Sequence, residues 1–176
     1  MEKVFLSHSS HNKDFVRLIA DKFGKDRCVY DEMCFEVGMK NLDEIFRGLD
    51  QASIFVLFIS DESLESEWVK KEIKGAAKRL NQSASKLSQI FPVIIDEKID
   101  HTDPRIPDFL KKGFGSYNLG RVTHPEVAYR KIEAQLVKRK LENNLQYANS
   151  YGFFMVEIMK LAHLKIVMMK LEKLRC

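Results

Sequence analysis

No glycine-rich phosphate loop, no paired cysteine framework and no long apolar run occur in this chain of 176 residues. A Walker-type loop and a GxGxxG turn are both missing, and Gly113-x-Gly115 opens no recognisable helix. The common nucleotide-cradling turns are therefore excluded. HExxH is absent, and His8 and His11 lack further ligands at metal-binding spacing, which leaves no zinc pattern. The three cysteines, Cys28, Cys34 and Cys176, form no paired framework, as suits a reducing compartment. Strong positive charge is lacking too. The formal net charge is only +4 and the lysines are spread along the chain, so a nucleic-acid footprint is not expected. At the N-terminus, MEKVFLSHSS carries an apolar run of three residues, too short for a signal peptide, and the expected location is cytoplasmic.

What is present is an ordinary globular composition, 45% hydrophobic and 31% charged, enough for one domain with a sizeable core plus an appendage. The chain is organised around Ser53 to Leu80. Ile54 to Ile59 is an unbroken apolar run ending in Ser60-Asp61, the pattern of a strand buried on both faces. Ser63 or Ser66 can cap the helix that follows. In it Val69, Ile73, Ala76, Ala77 and Leu80 recur at helical spacing and form one apolar stripe. Trp68 and Glu72, four residues apart, sit together on the flank of that stripe. Glu72 stands out because its neighbours at three and four residues are Trp68, Val69, Gly75 and Ala76, none of them basic. Lys70 and Lys71 can answer Glu67, and Lys74 points outward. A carboxylate with no local cation, beside an indole and a glycine that leaves space, is a catalytic candidate. The alternative is a solvated surface glutamate.

Around this centre the remaining elements fall in order. Val4-Phe5-Leu6 is a short strand ending in Ser7-His8, and Phe15, Leu18, Ile19 and Phe23 mark a helix stopped by Gly24. Cys28-Val29-Tyr30 is a second strand ending in Asp31-Glu32. A loop from Met33 to Met39 follows, and then a helix with Leu42, Ile45, Phe46 and Leu49, for which Asn41 can serve as cap. After the polar linker Asn81 to Ser88 comes a strand from Ile90 to Ile95, despite Pro92. Asp96 to Lys112 is irregular, with Pro104 and Pro107 breaking any helix. Phe114 to Leu119 reads as an edge strand, and His124 to about Asn144 as a helix with Val127, Ile132, Leu136 and Leu141 as apolar points.

Strands and helices alternating in this way predict an α/β fold with a doubly wound parallel sheet. Ligands of such sheets bind beyond the carboxyl ends of the strands, which singles out Ser7-His8, Asp31-Glu32, Ser60-Asp61 and Asp96-Glu97. Since the first strand does not end in an acidic pair, a phosphoacceptor receiver domain fits badly. A hydrolytic triad of Ser60, His8 and Asp31 has no nucleophile-elbow sequence to support it.

Four pieces of the chain, in order, carry a family likeness: VFLSHSS, VYDE followed by Gly38, IFVLFIS, and SLESEWVKKE. Over residues 1 to about 143 the chain resembles a TIR domain, the Toll/interleukin-1 receptor type, in its bacterial form. The resemblance implies a flavodoxin-like sheet of about five strands. It also implies cleavage of NAD at the bond between nicotinamide and ribose, releasing ADP-ribose or a cyclic form, with NAD as substrate and no separate cofactor or metal. Glu72 matches the family's catalytic glutamate after the tryptophan. By the same likeness Asp31 to Met39 is the loop through which TIR domains self-associate and close over the site, although Val37 stands where many members have proline. A role in immune or antiviral signalling is inherited from the likeness as well. The expected substrate contacts are Phe5, Ser7, His8, Asp31, Gly38, Ser60, Ser66 and Trp68, with Trp68 or Phe5 near the sugar or nicotinamide and Ser7 and His8 near the phosphates. Two other classes compete: a non-catalytic TIR adaptor acting through TIR–TIR contacts, and a nucleoside-cleaving transferase that also uses a glutamate.

Domain boundaries are expected at 1–143 for the TIR domain and 144–176 for a C-terminal helical extension. From Tyr151 the chain turns rich in methionine and branched aliphatics, while Glu157, Lys160, Lys165 and Lys170 interrupt the apolar run and rule out a membrane span. Such a helix wants a partner: its own domain, a second subunit through residues 150–176, or a further domain.

Overall fold

A computed structural model of the chain describes residues 2–30, 42–111 and 121–145. The chain forms two compact units, Met1–Leu136 and Val137–Cys176. In the first, four strands, β1 (Val4–Ser7), β2 (Cys28–Val29), β3 (Ile54–Ile59) and β4 (Gln89–Ile94), make a parallel sheet in the order β2-β1-β3-β4. Helices α1 (Lys13–Phe23), α2 (Leu42–Gln51), α3 (Asp61–Glu65) and α4 (Glu67–Leu80) join the strands, and α5 spans 125–145. The α/β fold is as the alternation predicts. Four strands are found among the described residues, while the expected strand Phe114 to Leu119 lies outside them.

The apolar run in β3 explains the two-sided core. Phe55, Leu57 and Ile59 join Phe5, Ile45, Leu49, Val69 and Ile73 on one face. Ile54, Val56 and Phe58 join Val16, Ile19, Ala128 and Ile132 on the other. Every residue of β3 is buried, because successive side chains of a strand point to opposite faces and both faces carry helices. Pro92 sits inside β4 opposite Leu57 without breaking the register.

Several expected faces are corrected. In α1 the buried stripe is Val16, Ile19, Ala20 and Phe23, whereas Leu18 is exposed: one residue turns the helix by about 100°, which carries Leu18 off the stripe that Ile19 shares. In α5, Ala128, Ile132 and Leu136 are buried, while Val127 and Leu141 are exposed. Leu80, placed on the apolar stripe of α4, is likewise exposed. Gly24 does end α1, at φ 72°. The second unit contains the end of α5, 137–145, where Lys138 lies 3.9 Å from Glu142. The Asn41 cap, the Met33 to Met39 loop and the tail from Tyr151 are outside the described residues.

Candidate functional site

From β1 the chain crosses to β2 on one side and returns to β3 on the other. The carboxyl ends of β1 and β3 therefore flank a topological switch point, where a parallel sheet opens a crevice. Ser7 ends β1, and Ser60 directly follows β3.

Helix α4 delivers Glu72 to this end of the sheet. Ser66 caps it, its side chain accepting the Val69 amide at 3.4 Å, which satisfies one of the first free N–H groups. Val69, Ile73 and Ala76 anchor its inner face in the core. Gly75 leaves no empty space. A side-chain carbon there would come within 3.0 Å of Phe46 and 3.1 Å of Leu49, so the glycine lets α2 approach α4 closely and opens no ligand cavity beside Glu72. The Glu72 carboxylate meets Ser7, whose Oγ donates to Oε2 across 2.5 Å, the length of a charge-assisted O–H···O⁻ bond.

The other expected contacts divide. Trp68 is 38% exposed and lies one turn before Glu72 on α4. Lys71 acts on Glu67 only as a more distant, weaker charge; its Nζ stands 4.8 Å from the Trp68 ring centroid. Lys70 alone makes the local ion pair, 2.9 Å from Glu67, and its hydrogen bond foremost holds that carboxyl below the usual range. His8 is half-buried, stacked on Tyr30 with ring centroids 5.1 Å apart. Its Nδ1 is 3.2 Å from the Leu6 carbonyl. A carbonyl only accepts, so this contact puts a proton on Nδ1.

Phe5, Ser7 and Ser60 take different parts from those expected. Phe5 is 3% exposed and stacks on Phe55 at 5.6 Å, so its ring belongs to the core and not to a ligand. Ser7 is fully buried, and its single hydroxyl hydrogen goes to Glu72, so it has none left for a phosphate. Ser60 donates to Asn12 Oδ1 at 2.7 Å and accepts the Ser63 amide at 3.2 Å, forming a capping box with Ser63 at the start of α3. Asp31 and Gly38 are outside the described residues.

Two features of this end of the sheet have no local signal in the sequence. One is the Asn12–Ser60 bond. The other is a clamp in which Arg105 Nη1 reaches Asp61 at 2.8 Å and Glu65 at 3.0 Å, while Nη2 reaches Asp103 at 2.9 Å. Asp96 adds to it by accepting the Lys98 amide at 2.8 Å and the Asp61 amide at 3.1 Å, and the Lys98 amide foremost keeps its carboxyl below the ordinary range. A cavity of about 160 Å³ lies away from this site, lined by Lys3, Cys28, Glu44 and Gly48 among others. It is at the amino ends of β1 and β2, the end opposite that at which parallel sheets bind ligands.

Among the described residues, no helix is long and apolar enough to cross a membrane. A family model described as TIR domain matches residues 4–145. No curated protein matches the chain.

Proposed function

The chain belongs to the TIR domain family, and we propose that it is a catalytic member, cleaving NAD between nicotinamide and ribose. In this reaction the bond from ribose C1′ to the nicotinamide nitrogen breaks, and its electron pair leaves on nicotinamide, which becomes neutral. The leaving group is cationic beforehand and needs no general acid. What requires help is the positive charge left on the ribose ring, and a carboxylate held beside it supplies that electrostatically. Water adding at C1′ gives ADP-ribose and a proton; attack by the adenine gives a cyclic product.

One observation carries this reading: the Glu72 carboxylate is held at the carboxyl end of β1 by Ser7, at the switch-point end of the sheet. The Ser7 hydroxyl orients the carboxylate and carries no charge of its own. Trp68, half-exposed on the same helix, offers its indole to the ribose or nicotinamide, and nearby backbone amides offer donors to the phosphates, whereas His8, its Nδ1 proton directed at the Leu6 carbonyl, donates to them from Nε2 only as the imidazolium. Self-assembly through Asp31 to Met39 activates the enzyme, in the cytoplasm, in immune or antiviral signalling. No cofactor beyond the substrate NAD is needed.

The test compares wild type, Glu72→Gln and Glu67→Gln at matched concentration, following NAD consumption and products. Glu72→Gln keeps size and hydrogen-bonding capacity and removes the charge. Its turnover is expected to fall by about 100-fold or more, with Glu67→Gln unchanged. A wild type that never consumes NAD, or a fully active Glu72→Gln, hands the chain to the adaptor class.

A further inference from the structure

We infer that Ser7 is a positioning residue: its hydroxyl, at the carboxyl end of β1, sets the orientation of the Glu72 carboxylate and thereby the rate of the chemical step. This rests on the NAD-cleaving reading of the same site.

The two partners differ in stiffness. Ser7 has one side-chain torsion before its oxygen, and its backbone lies at the end of an inner strand, paired there with Leu57 of β3. It is fully buried. Glu72 has three torsions, and on a helix surface its carboxylate would sample many positions. The 2.5 Å bond ties the mobile group to the rigid one. A preorganised charge acts more strongly on a developing cation than one that must reorient during the reaction. The hydroxyl is suited to this task because it carries no charge of its own. The same bond also separates Ser7 from a substrate contact, since the only hydrogen it can donate is directed at Glu72.

The distinction between orienting the carboxylate and contacting the substrate decides the experiment. Full-length Ser7→Ala, Ser7→Cys, Glu72→Gln and the Ser7→Ala/Glu72→Gln double variant are assayed with NAD beside wild type, with near-UV circular dichroism as the check on folding. Ser7→Ala is expected to lose kcat by about tenfold or more, with KM within about twofold. Ser7→Cys has nearly the size of serine but is a weak donor; it is expected to fall with Ser7→Ala, and it stands in should the alanine variant not fold. In the double variant the Ser7 substitution is expected to add no further loss, because an orienting group has nothing left to orient. Wild-type kcat in a folded Ser7→Ala or Ser7→Cys would overturn the inference. A rise in KM alone overturns it too, as does a full multiplicative loss in the double variant. In each of these results Glu72→Gln remains inactive and the catalytic reading stands. A wild type without NAD cleavage removes that reading instead, and this inference with it.

Discussion

Lys71 holds its ammonium over the face of Trp68, 4.8 Å from the ring centroid, on the helix that also carries Glu72. A cation over an exposed indole stabilises by about 0.5–1 kcal/mol. That is enough to bias the lysine towards the ring and to give the indole a preferred orientation beside the site.

Trp68 is the sole tryptophan of the chain, so intrinsic fluorescence reports on this position alone. In Glu72→Gln, where turnover is blocked, titration with NAD is expected to change the emission saturably. Trp68→Phe should raise KM more than it lowers kcat. An emission unaffected by NAD at concentrations that saturate wild-type turnover would place the substrate elsewhere.

At Gly48, α2 lies close against the sheet. A side-chain carbon there would lie 2.9 Å from Val29 Cγ1 and 3.0 Å from Phe5 Cε2, both in buried residues. Overpacking of this kind costs about 1–3 kcal/mol, set against a gain of up to about 1 kcal/mol from replacing glycine in a helix. Gly48→Ala is therefore expected to lower stability by about 1 kcal/mol, measured by urea unfolding. A stabilised variant would show that α2 can move outward freely.

The Arg105 clamp predicts an acid limb. The guanidinium keeps the Asp103 carboxyl below the ordinary carboxylate range, chiefly by direct hydrogen bonding, so folded Asp103 binds a proton less readily than in the unfolded chain. Its contribution is thus fully present above the unfolded value, about 3.9, and is lost as pH falls through the lower folded value. Arg105→Gln should melt below wild type at pH 7, and the gap should close as pH drops beneath about 4. A gap that stays constant across that window would mean that the clamp acts by packing and not by charge.

Met33, Phe35, Val37 and Met39 put apolar side chains into an otherwise polar loop, and on sequence grounds they are expected to make contacts between subunits. NAD cleavage should then rise faster than linearly with protein concentration, and Phe35→Glu should flatten that dependence without unfolding the domain. Specific activity that is constant across the range, with a monomer in sedimentation throughout, would exclude assembly as the trigger.

Local pattern determined much of the architecture. The unbroken run Ile54 to Ile59 read as a strand covered on both faces, the helical spacing of Val69, Ile73 and Ala76 set the inner side of α4, and its cap was legible to within two serines, Ser63 or Ser66, of which the structure uses Ser66, because capping is a matter between near neighbours. Glu72 also stood out in the sequence, by the absence of a cation one turn away. What local spacing could not say is which surface each helix would meet. Leu18 fitted an apolar stripe on paper, yet the sheet accepted the stripe through Val16 and Ile19. The apparent space at Gly75 was filled by Phe46 and Leu49 from another helix. Above all, Ser7 and Glu72 are 65 positions apart. Their hydrogen bond arises only when the crossover lays α4 against the carboxyl end of β1, and no periodicity encodes the partner of a side chain so distant along the chain.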